Sequence, residues 1–141
     1  MDTKFSVAVH TLILLSEAPG TLNSDQIAMS VGTNGSYIRK ILSLLRKAGI
    51  IKSHKGVSSY ELTSKSEDIS LLDIYKAVME EEEIHLFDIH QNPNDMCIVG
   101  RHIKPVLGNM FKDLEDSFSQ ELANRTLSEC IDDIRRRENN L

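Results

Sequence analysis

The chain of 141 residues is long enough to bury one hydrophobic core, and it carries a formal net charge of −5 at pH 7. Its 40% hydrophobic and 26% charged residues are typical of a globular protein. No apolar run approaches the ~18 residues of a membrane span, so we expect no membrane association. The apolar N-terminal stretch contains acids and lacks a small-residue cleavage pattern, which predicts a cytoplasmic protein.

The charge is distributed unevenly along the chain. Residues 1–62 contain seven Lys/Arg and four Asp/Glu, a net +3, whereas residues 63–141 contain nine and seventeen, a net −8. Residues 33–60 contain no acid and six cations, which are Arg39, Lys40, Arg46, Lys47, Lys52 and Lys55. A basic block on an acidic protein produces a directional field, which favours a polyanionic partner such as nucleic acid.

The first half of the chain predicts three helices followed by a β-hairpin. Apolar residues at helical spacing predict a helix over residues 3–18, which "APG" ends. Asn23 or Ser24 can cap a second, short helix that Gly32 ends. The segment "SYIRKILSLLRKAG" predicts a third helix with one apolar face and one basic face. The strand-like pieces "GIIKS" and "SYEL" flank a turn that contains Gly56, which predicts the hairpin.

The second half predicts three more helices around one irregular segment. "SEDISLLDIYKAVMEEEE" predicts a fourth helix, with a capping box between Ser70 and Asp73, and "IHLFDIHQNPNDM" predicts a loop. A long helix over about residues 97–123 carries apolar side chains three or four positions apart, with Pro105 near its start. A short last helix begins near Thr126.

The order helix, helix, tight turn, helix, hairpin is that of a winged helix-turn-helix. We therefore predict a mainly α fold with a small β-hairpin. A winged helix-turn-helix DNA-binding domain would occupy residues 1–66, and a helical connector and dimerisation region would occupy residues 67–141. In such a domain the third helix enters the major groove, and the hairpin, or wing, lies beside it on the DNA backbone or in the minor groove.

Candidate DNA-binding residues lie on the polar face of the third helix, in the turn before it and at the tip of the wing. Arg39 is the strongest candidate for reading guanine, because its fork can bond O6 and N7 together. Ser36 and Asn34 can contact bases or phosphates, and Thr33 can cap the helix or contact a phosphate. The complete predicted set is Thr33, Asn34, Ser36, Tyr37, Arg39, Lys40, His54 and Lys55.

The apolar stripe of the long helix is wider than one small domain can cover. Its residues are Val99, Ile103, Leu107, Met110, Leu114, Phe118 and Leu122, widened by Val106 and Phe111. A two-fold partner would bury this stripe, so we expect a homodimer through the helix of about residues 97–123. The alternative is that the stripe packs on the first helix within one chain.

Cys97 has three histidines near it in the sequence: His85, His90 and His102. Their spacing matches no standard zinc site, so we expect neither a metal nor another cofactor. No nucleophile–base pattern, phosphate loop or paired carboxylate accompanies the cysteine, so we do not expect an enzyme. Two interpretations of Cys97 stay open. It is a redox sensor, since a helix N-terminus favours the thiolate, or it is a small structural residue.

A family resemblance covers about residues 3–123. The segments "TNGSYIRKILSLLRKAGIIKSHKG", "DISLLDIYKAV" and "NPNDMCIVGRHIKPVL", in this order, resemble the Rrf2 family of bacterial winged-helix transcription regulators. The resemblance is greatest to the YwnA-like members, which lack an iron–sulfur cluster. It implies a homodimer joined by the long helix that binds a palindromic operator, with base contacts at the positions of Asn34, Ser36 and Arg39.

The chain also departs from the family pattern. The family often has an acid at the position of Arg39, and it often has an Arg-Gly-rich wing tip where this chain has "SHKGVSSY". Members that hold a cluster have three closely spaced cysteines in the region of "NPNDMCIVGRHI", where this chain has Cys97 alone. A cluster needs several thiolates, so we expect none here.

These patterns together predict a sequence-specific DNA-binding transcription regulator, acting as a repressor, that binds double-stranded DNA as a homodimer. The alternative is a protein-interaction module that keeps the winged-helix scaffold and binds DNA only weakly. A selection of bound duplexes from random sequences discriminates between the two functions.

Overall fold

The computed structural model describes residues 2–54 and 59–139, which contain six α-helices and a two-stranded sheet. The helices are α1 (Lys4–Glu17), α2 (Ser24–Val31), α3 (Gly35–Lys47), α4 (Leu71–Met79), α5 (Ile98–Ala123) and α6 (Leu127–Asn139). The strands β1 (Ile51–Ser53) and β2 (Tyr60–Leu62) pair antiparallel, and a 3-10 helix (Ser66–Asp68) precedes α4. This order confirms the predicted mainly α fold with a small hairpin.

Local sequence determines where the helices begin and end. Asn23 accepts a hydrogen bond from the backbone N–H of Gln26, whose side chain accepts one from the N–H of Asn23, and this capping box begins α2. Gly32 ends α2 in the left-handed conformation, at φ 86°. Ser70 and Asp73 form the predicted capping box of α4. The prediction that Asn23 or Ser24 begins the second helix is therefore confirmed for Asn23.

The hydrophobic core lies where α1, α2, α3 and α4 meet. Its largest fully buried side chains include Leu12, Leu15, Ile27, Ile38, Ile41, Leu42, Leu45, Ile51, Ile74 and Leu127. Burial of each such side chain stabilises the fold by roughly 1.5–3 kcal/mol. Leu127 and Ile131 bring α6 into the same core, and Arg135 of α6 lies 3.0 Å from a Glu17 carboxylate oxygen at the end of α1. The domain boundary after residue 66 stays a prediction.

Two helix ends differ from the sequence-based prediction. α4 ends at Met79, and Glu80 takes a left-handed conformation at φ 55°, so the acidic run of residues 80–83 follows the helix. Carboxylates are unfavourable at the negative end of a helix dipole, which explains the earlier stop. The last helix is longer than predicted, because Arg136 and Arg137 lie in its final turn, where cations are favourable.

α5 has 26 residues, and only part of its surface packs against the rest of the chain. A row of three aromatic rings connects it to the winged region: Phe5 of α1 lies 5.4 Å from Tyr75 of α4, and Tyr75 lies 6.4 Å from Phe118 of α5. More than half of each of four apolar side chains remains exposed, at Val99, Val106, Met110 and Leu114. Within the described ranges, no helix combines the length and apolar character of a membrane span.

Candidate nucleic-acid interface

α3 presents a basic face to solvent because its other face is fixed in the core. The buried positions are Ile38, Ile41, Leu42 and Leu45. The exposed positions alternate with them around the helix and include Ser36, Arg39, Lys40, Ser43, Arg46 and Lys47. The helical period predicted this division correctly. Helix packing therefore sets a row of cations at the solvent face of the helix-turn-helix.

The turn before α3 assigns the capping role to Asn34. Its side-chain Oδ1 accepts a hydrogen bond from the backbone N–H of Tyr37 at 2.9 Å. The expectation that Thr33 caps the helix is wrong, because Asn34 has the extended backbone of an N-cap and stands three residues before the N–H it satisfies. The backbone N–H of Thr33 bonds instead to the Ala28 carbonyl of α2, at 3.0 Å. A phosphate contact by Thr33 stays a prediction.

The first turn of α3 contains two of the predicted contact residues in different surroundings. Ser36 is exposed, whereas Tyr37 is partly buried and packs against the core cluster. Burial leaves Tyr37 less of its ring for DNA than the sequence alone implied, and part of its role is to hold α3 on the core. A DNA contact by either residue stays a prediction.

Arg39 contacts the start of α2. Its Nη1 donates a hydrogen bond to Ser24 Oγ at 3.2 Å and lies 3.6 Å from Asp25 Oδ1. The side chains of both Arg39 and Asp25 are more than half exposed. Asp25 is absent from the predicted set, because the block around Arg39 contains no acid in sequence although Asp25 lies beside it in space. The available signal was an acid in the first turn of α2, the helix before α3.

A second acid lies on the second strand of the wing. Glu61 of β2 is opposite Lys52 of β1, and its Oε1 is 3.1 Å from Lys52 Nζ and 3.4 Å from His54 Nε2. The hydrogen bond from Lys52, followed by contact with His54, holds the pKa of the Glu61 carboxyl below its ordinary value. Glu61 therefore offsets part of the positive charge of Lys52. Lys55, the other predicted wing contact, lies outside the described residues.

A further cation, Arg46, connects α3 to the first strand of the wing. Arg46 Nη1 of α3 donates to Ser53 Oγ of β1 at 3.5 Å. This long hydrogen bond adds to the covalent turn at Gly49, which takes a left-handed φ of 80° between α3 and β1. The helix and the first strand of the wing thereby lie beside each other, and their docking on DNA stays a prediction.

Cys97 is the N-cap residue of α5, and its side chain is exposed. The backbone N–H groups of Gly100 and Val99 hold the pKa of its thiol below the ordinary value. His85, one of the histidines near Cys97 in sequence, lies 2.7 Å from Asp88 and 3.7 Å from Glu115. The pKa of His85 is raised, chiefly by its hydrogen bond to Asp88.

Comparison with known proteins identifies relatives over nearly the whole chain. YwnA of Bacillus subtilis (strain 168), by name an HTH-type transcriptional regulator, is 38% identical over 134 residues, which cover 95% of this chain and 98% of YwnA. A crystal structure described as a DNA-binding protein is 34% identical, with a TM-score of 0.75, and covers 91% of this chain and 98% of its own. A solved structure from Lactobacillus plantarum, described as that of a transcriptional regulator, is 25% identical, with a TM-score of 0.77, over 96% of this chain and 91% of its own.

The family comparison agrees with these relatives. The Rrf2 model, described as "Iron-dependent Transcriptional regulator", matches residues 1–133. The resemblance inferred from the three sequence segments is thereby confirmed. The chain belongs to the Rrf2 family of winged helix-turn-helix transcriptional regulators.

Proposed function

We propose that this protein is a sequence-specific transcriptional repressor that binds a palindromic operator as a homodimer. The observation that carries the proposal is the exposed basic face of α3, held outward by a buried apolar face and flanked by the wing. A recognition helix mounted in this way can enter the major groove, where side chains at its N-terminal half reach base edges. Arg39 and Lys40 are the cations of that half.

The proposed DNA contacts divide into base reading and backbone positioning. Arg39 reads guanine through two parallel hydrogen bonds, and Ser36 reaches a base edge or a phosphate from the first turn. The side-chain carbonyl oxygen of Asn34 accepts the hydrogen bond of the helix cap, so its amide N–H groups are the donors that can bind a phosphate. Thr33, Tyr37 and Lys40 complete the backbone contacts of the helix. His54 and Lys55 supply those of the wing.

The exposed apolar stripe of α5 supports the homodimer. Val99, Val106, Met110 and Leu114 are each more than half exposed in the single chain. Monomeric soluble proteins seldom leave such a contiguous apolar surface in water. An isologous partner would cover it with the same stripe, and two recognition helices would then lie about 34 Å apart, one turn of DNA.

The donor set of this chain does not fit an iron–sulfur cluster, although the family description mentions iron. A cluster takes three or four ligands that are mostly thiolates. This chain has two cysteines, Cys97 at the start of α5 and Cys130 on α6, and burial raises the pKa of the Cys130 thiol. No group of three His, Cys, Asp or Glu side chains suited to a metal occurs in the described part of the chain. We therefore propose a regulator without a cluster.

Repression is the mode of action that needs the fewest additional surfaces. A dimer seated on its operator excludes polymerase by occupying the DNA, whereas activation requires a further contact with the transcription machinery. The proposal implies a cytoplasmic protein, since that is where bacterial DNA is bound.

The test is a selection of duplexes from a random-sequence pool at moderate salt. We expect enrichment of a palindrome whose half-sites are 10–10.5 base pairs apart, or a multiple of this spacing, bound by two copies of the chain. Sedimentation of the complex measures the stoichiometry. Recovery of duplexes without any common sequence would contradict the proposal and favour the protein-interaction module, whose basic face would then bind an acidic protein.

A further inference from the structure

Two side chains of α2 contact one end of the Arg39 guanidinium in the chain without DNA. Ser24 Oγ accepts a hydrogen bond from Nη1 at 3.2 Å, and Asp25 Oδ1 lies 3.6 Å from the same nitrogen. Both contacts use Nη1, and among the described residues the side-chain bonds of Arg39 involve this nitrogen. The opposite edge of the fork, formed by Nε and Nη2, is the edge that is left to pair with a base.

Gly35 makes room for this arrangement. A Cβ at Gly35 would overlap Asp25 Oδ1 and would lie 3.1 Å from Arg39 Nη1. The missing side chain therefore lets the Asp25 carboxylate lie over the first residue of α3. Gly35 has an ordinary helical backbone, so the glycine is explained by this close approach and not by a left-handed conformation.

An acid at this position requires an explanation, because a carboxylate beside a DNA-binding surface repels phosphates. A gain in stability explains the acid only weakly, because both partners of the ion pair are exposed and exposed pairs contribute little to the free energy of unfolding. Asp25 also favours the positive end of the α2 dipole, but that benefit does not depend on Arg39. Orientation of Arg39 accounts for the contact itself.

We propose that Asp25 is a positioning residue that makes Arg39 selective for guanine. By holding Nη1, Asp25 and Ser24 select one arrangement of a long, flexible side chain before binding, which reduces the entropy lost on contact. The Nε and Nη2 donors then present the parallel pair that matches guanine O6 and N7. This inference rests on the proposed function, and it adds the residue that determines specificity within it.

The test compares base preference with overall affinity. Dissociation constants of the wild type and of Asp25→Asn are measured on the selected operator and on its variants with each other base pair at the guanine that Arg39 reads. We expect Asp25→Asn to bind every duplex more tightly, since a negative charge is removed, while the preference for guanine falls at least about fivefold. Glu67→Gln, which removes an exposed acid elsewhere, is the charge-matched control and keeps the preference.

Gly35→Ala provides a second variant that leaves every charge in place. Its new Cβ displaces the Asp25 carboxylate, so the preference for guanine falls as in Asp25→Asn, without the general gain in affinity. In an Arg39→Ala background, Asp25→Asn should change the preference no further, because the two residues act through one contact. Thermal unfolding of each variant confirms that it is folded.

Two outcomes overturn the inference while the wild type still selects an operator. One is an unchanged guanine preference in Asp25→Asn, which would make Asp25 a source of repulsion alone. The other is a further change of base preference when Asp25→Asn is added to Arg39→Ala. A wild type that prefers no base pair at any position contradicts the proposed function instead.

Discussion

The side chain of Asn34 accepts a hydrogen bond from the backbone N–H of Tyr37 at 2.9 Å, and this bond begins the recognition helix. Asn34 therefore has a structural role that can be separated from its proposed contact with DNA. Asn34→Ala should lower the free energy of unfolding by about 0.5–2 kcal/mol, the usual cost of losing an N-cap. Urea unfolding monitored by circular dichroism measures this loss.

The matched variant Asn34→Asp keeps the capping oxygen and removes the amide donors. It should unfold like the wild type, yet bind DNA more weakly because it adds a negative charge near the phosphates. Equal stability of Asn34→Ala and the wild type would show that the cap contributes nothing to the fold.

Arg39 and Lys55 should differ in how their loss affects DNA binding. Arg39→Ala should weaken binding to the operator by about 1–3 kcal/mol and relax base preference at one position, because a bidentate base contact is lost. Lys55→Ala should weaken binding to all duplexes about equally and reduce the slope of log K against log salt by about one unit. Fluorescence anisotropy titrations at several salt concentrations separate these signatures. Identical losses of specificity in the two variants would contradict the assignment.

A charge placed in the apolar stripe of α5 should separate the homodimer. Met110→Glu introduces a carboxylate at a position that is 56% exposed in the single chain, so the monomer tolerates it and a buried two-fold interface does not. Sedimentation equilibrium should show a monomer, and operator binding should weaken because the two half-sites are no longer linked. Asn109→Glu, an exposed position on another side of α5, is the control and should remain dimeric. A dimeric Met110→Glu would place the interface elsewhere.

The Glu61 carboxyl should make the free energy of unfolding depend on pH. Contact with Lys52, then with His54, lowers its pKa from an ordinary value of 4.5. A lowered pKa in the folded protein adds stability above the unfolded value, and this contribution is lost as pH falls through the folded value. The difference in unfolding free energy between wild type and Glu61→Gln should therefore shrink as pH falls below about 4.5. Chemical unfolding of both proteins across this range measures the difference.

The same Glu61→Gln variant should bind DNA more tightly at neutral pH, because Lys52 and His54 lose their internal partner. Unchanged affinity would show that Lys52 lies away from the DNA.

Cys97→Ser should bind the operator as tightly as the wild type under reducing conditions, since the thiol is exposed at the start of α5 and lies outside the basic face. Binding repeated after peroxide treatment decides between the two interpretations of this cysteine. A response to peroxide in the wild type that disappears in Cys97→Ser identifies a redox sensor. The same response in both proteins assigns Cys97 a structural role.

Periodicity was sufficient to predict the order of the helices and the exposed face of α3. Ile38, Ile41 and Leu42 recur at helical spacing, so the core face and the basic face follow from the sequence alone. The cap at Asn34 was harder to assign, because Thr33 and Asn34 are adjacent and both are capping residues. The backbone conformation decides between them, and sequence patterns do not locate an N-cap to within one residue.

Which cations the two acids beside the basic face would pair with could not be predicted from local sequence. Asp25 comes from α2 and Glu61 from β2, and each reaches its cation across a distance that only the packed fold determines. The acid-free block of residues 33–60 gave the correct sign for this surface and missed its internal ion pairs. The number of charged residues in a segment predicts the sign of the charge on this surface. Base selectivity depends instead on which side chains contact each other.

The ring of Tyr75 lies between Phe5 of α1 and Phe118 of α5, so these three rings join the long helix to the first helix of the winged region. If two copies pair through α5, the three rings set the angle between α5 and each winged domain. A small change of this angle at Tyr75 would move Arg39 by a larger distance. The range of half-site separations that the dimer accepts would then depend on how rigidly Tyr75 is packed. A smaller residue at this position would broaden the range of half-site separations without touching a single DNA contact.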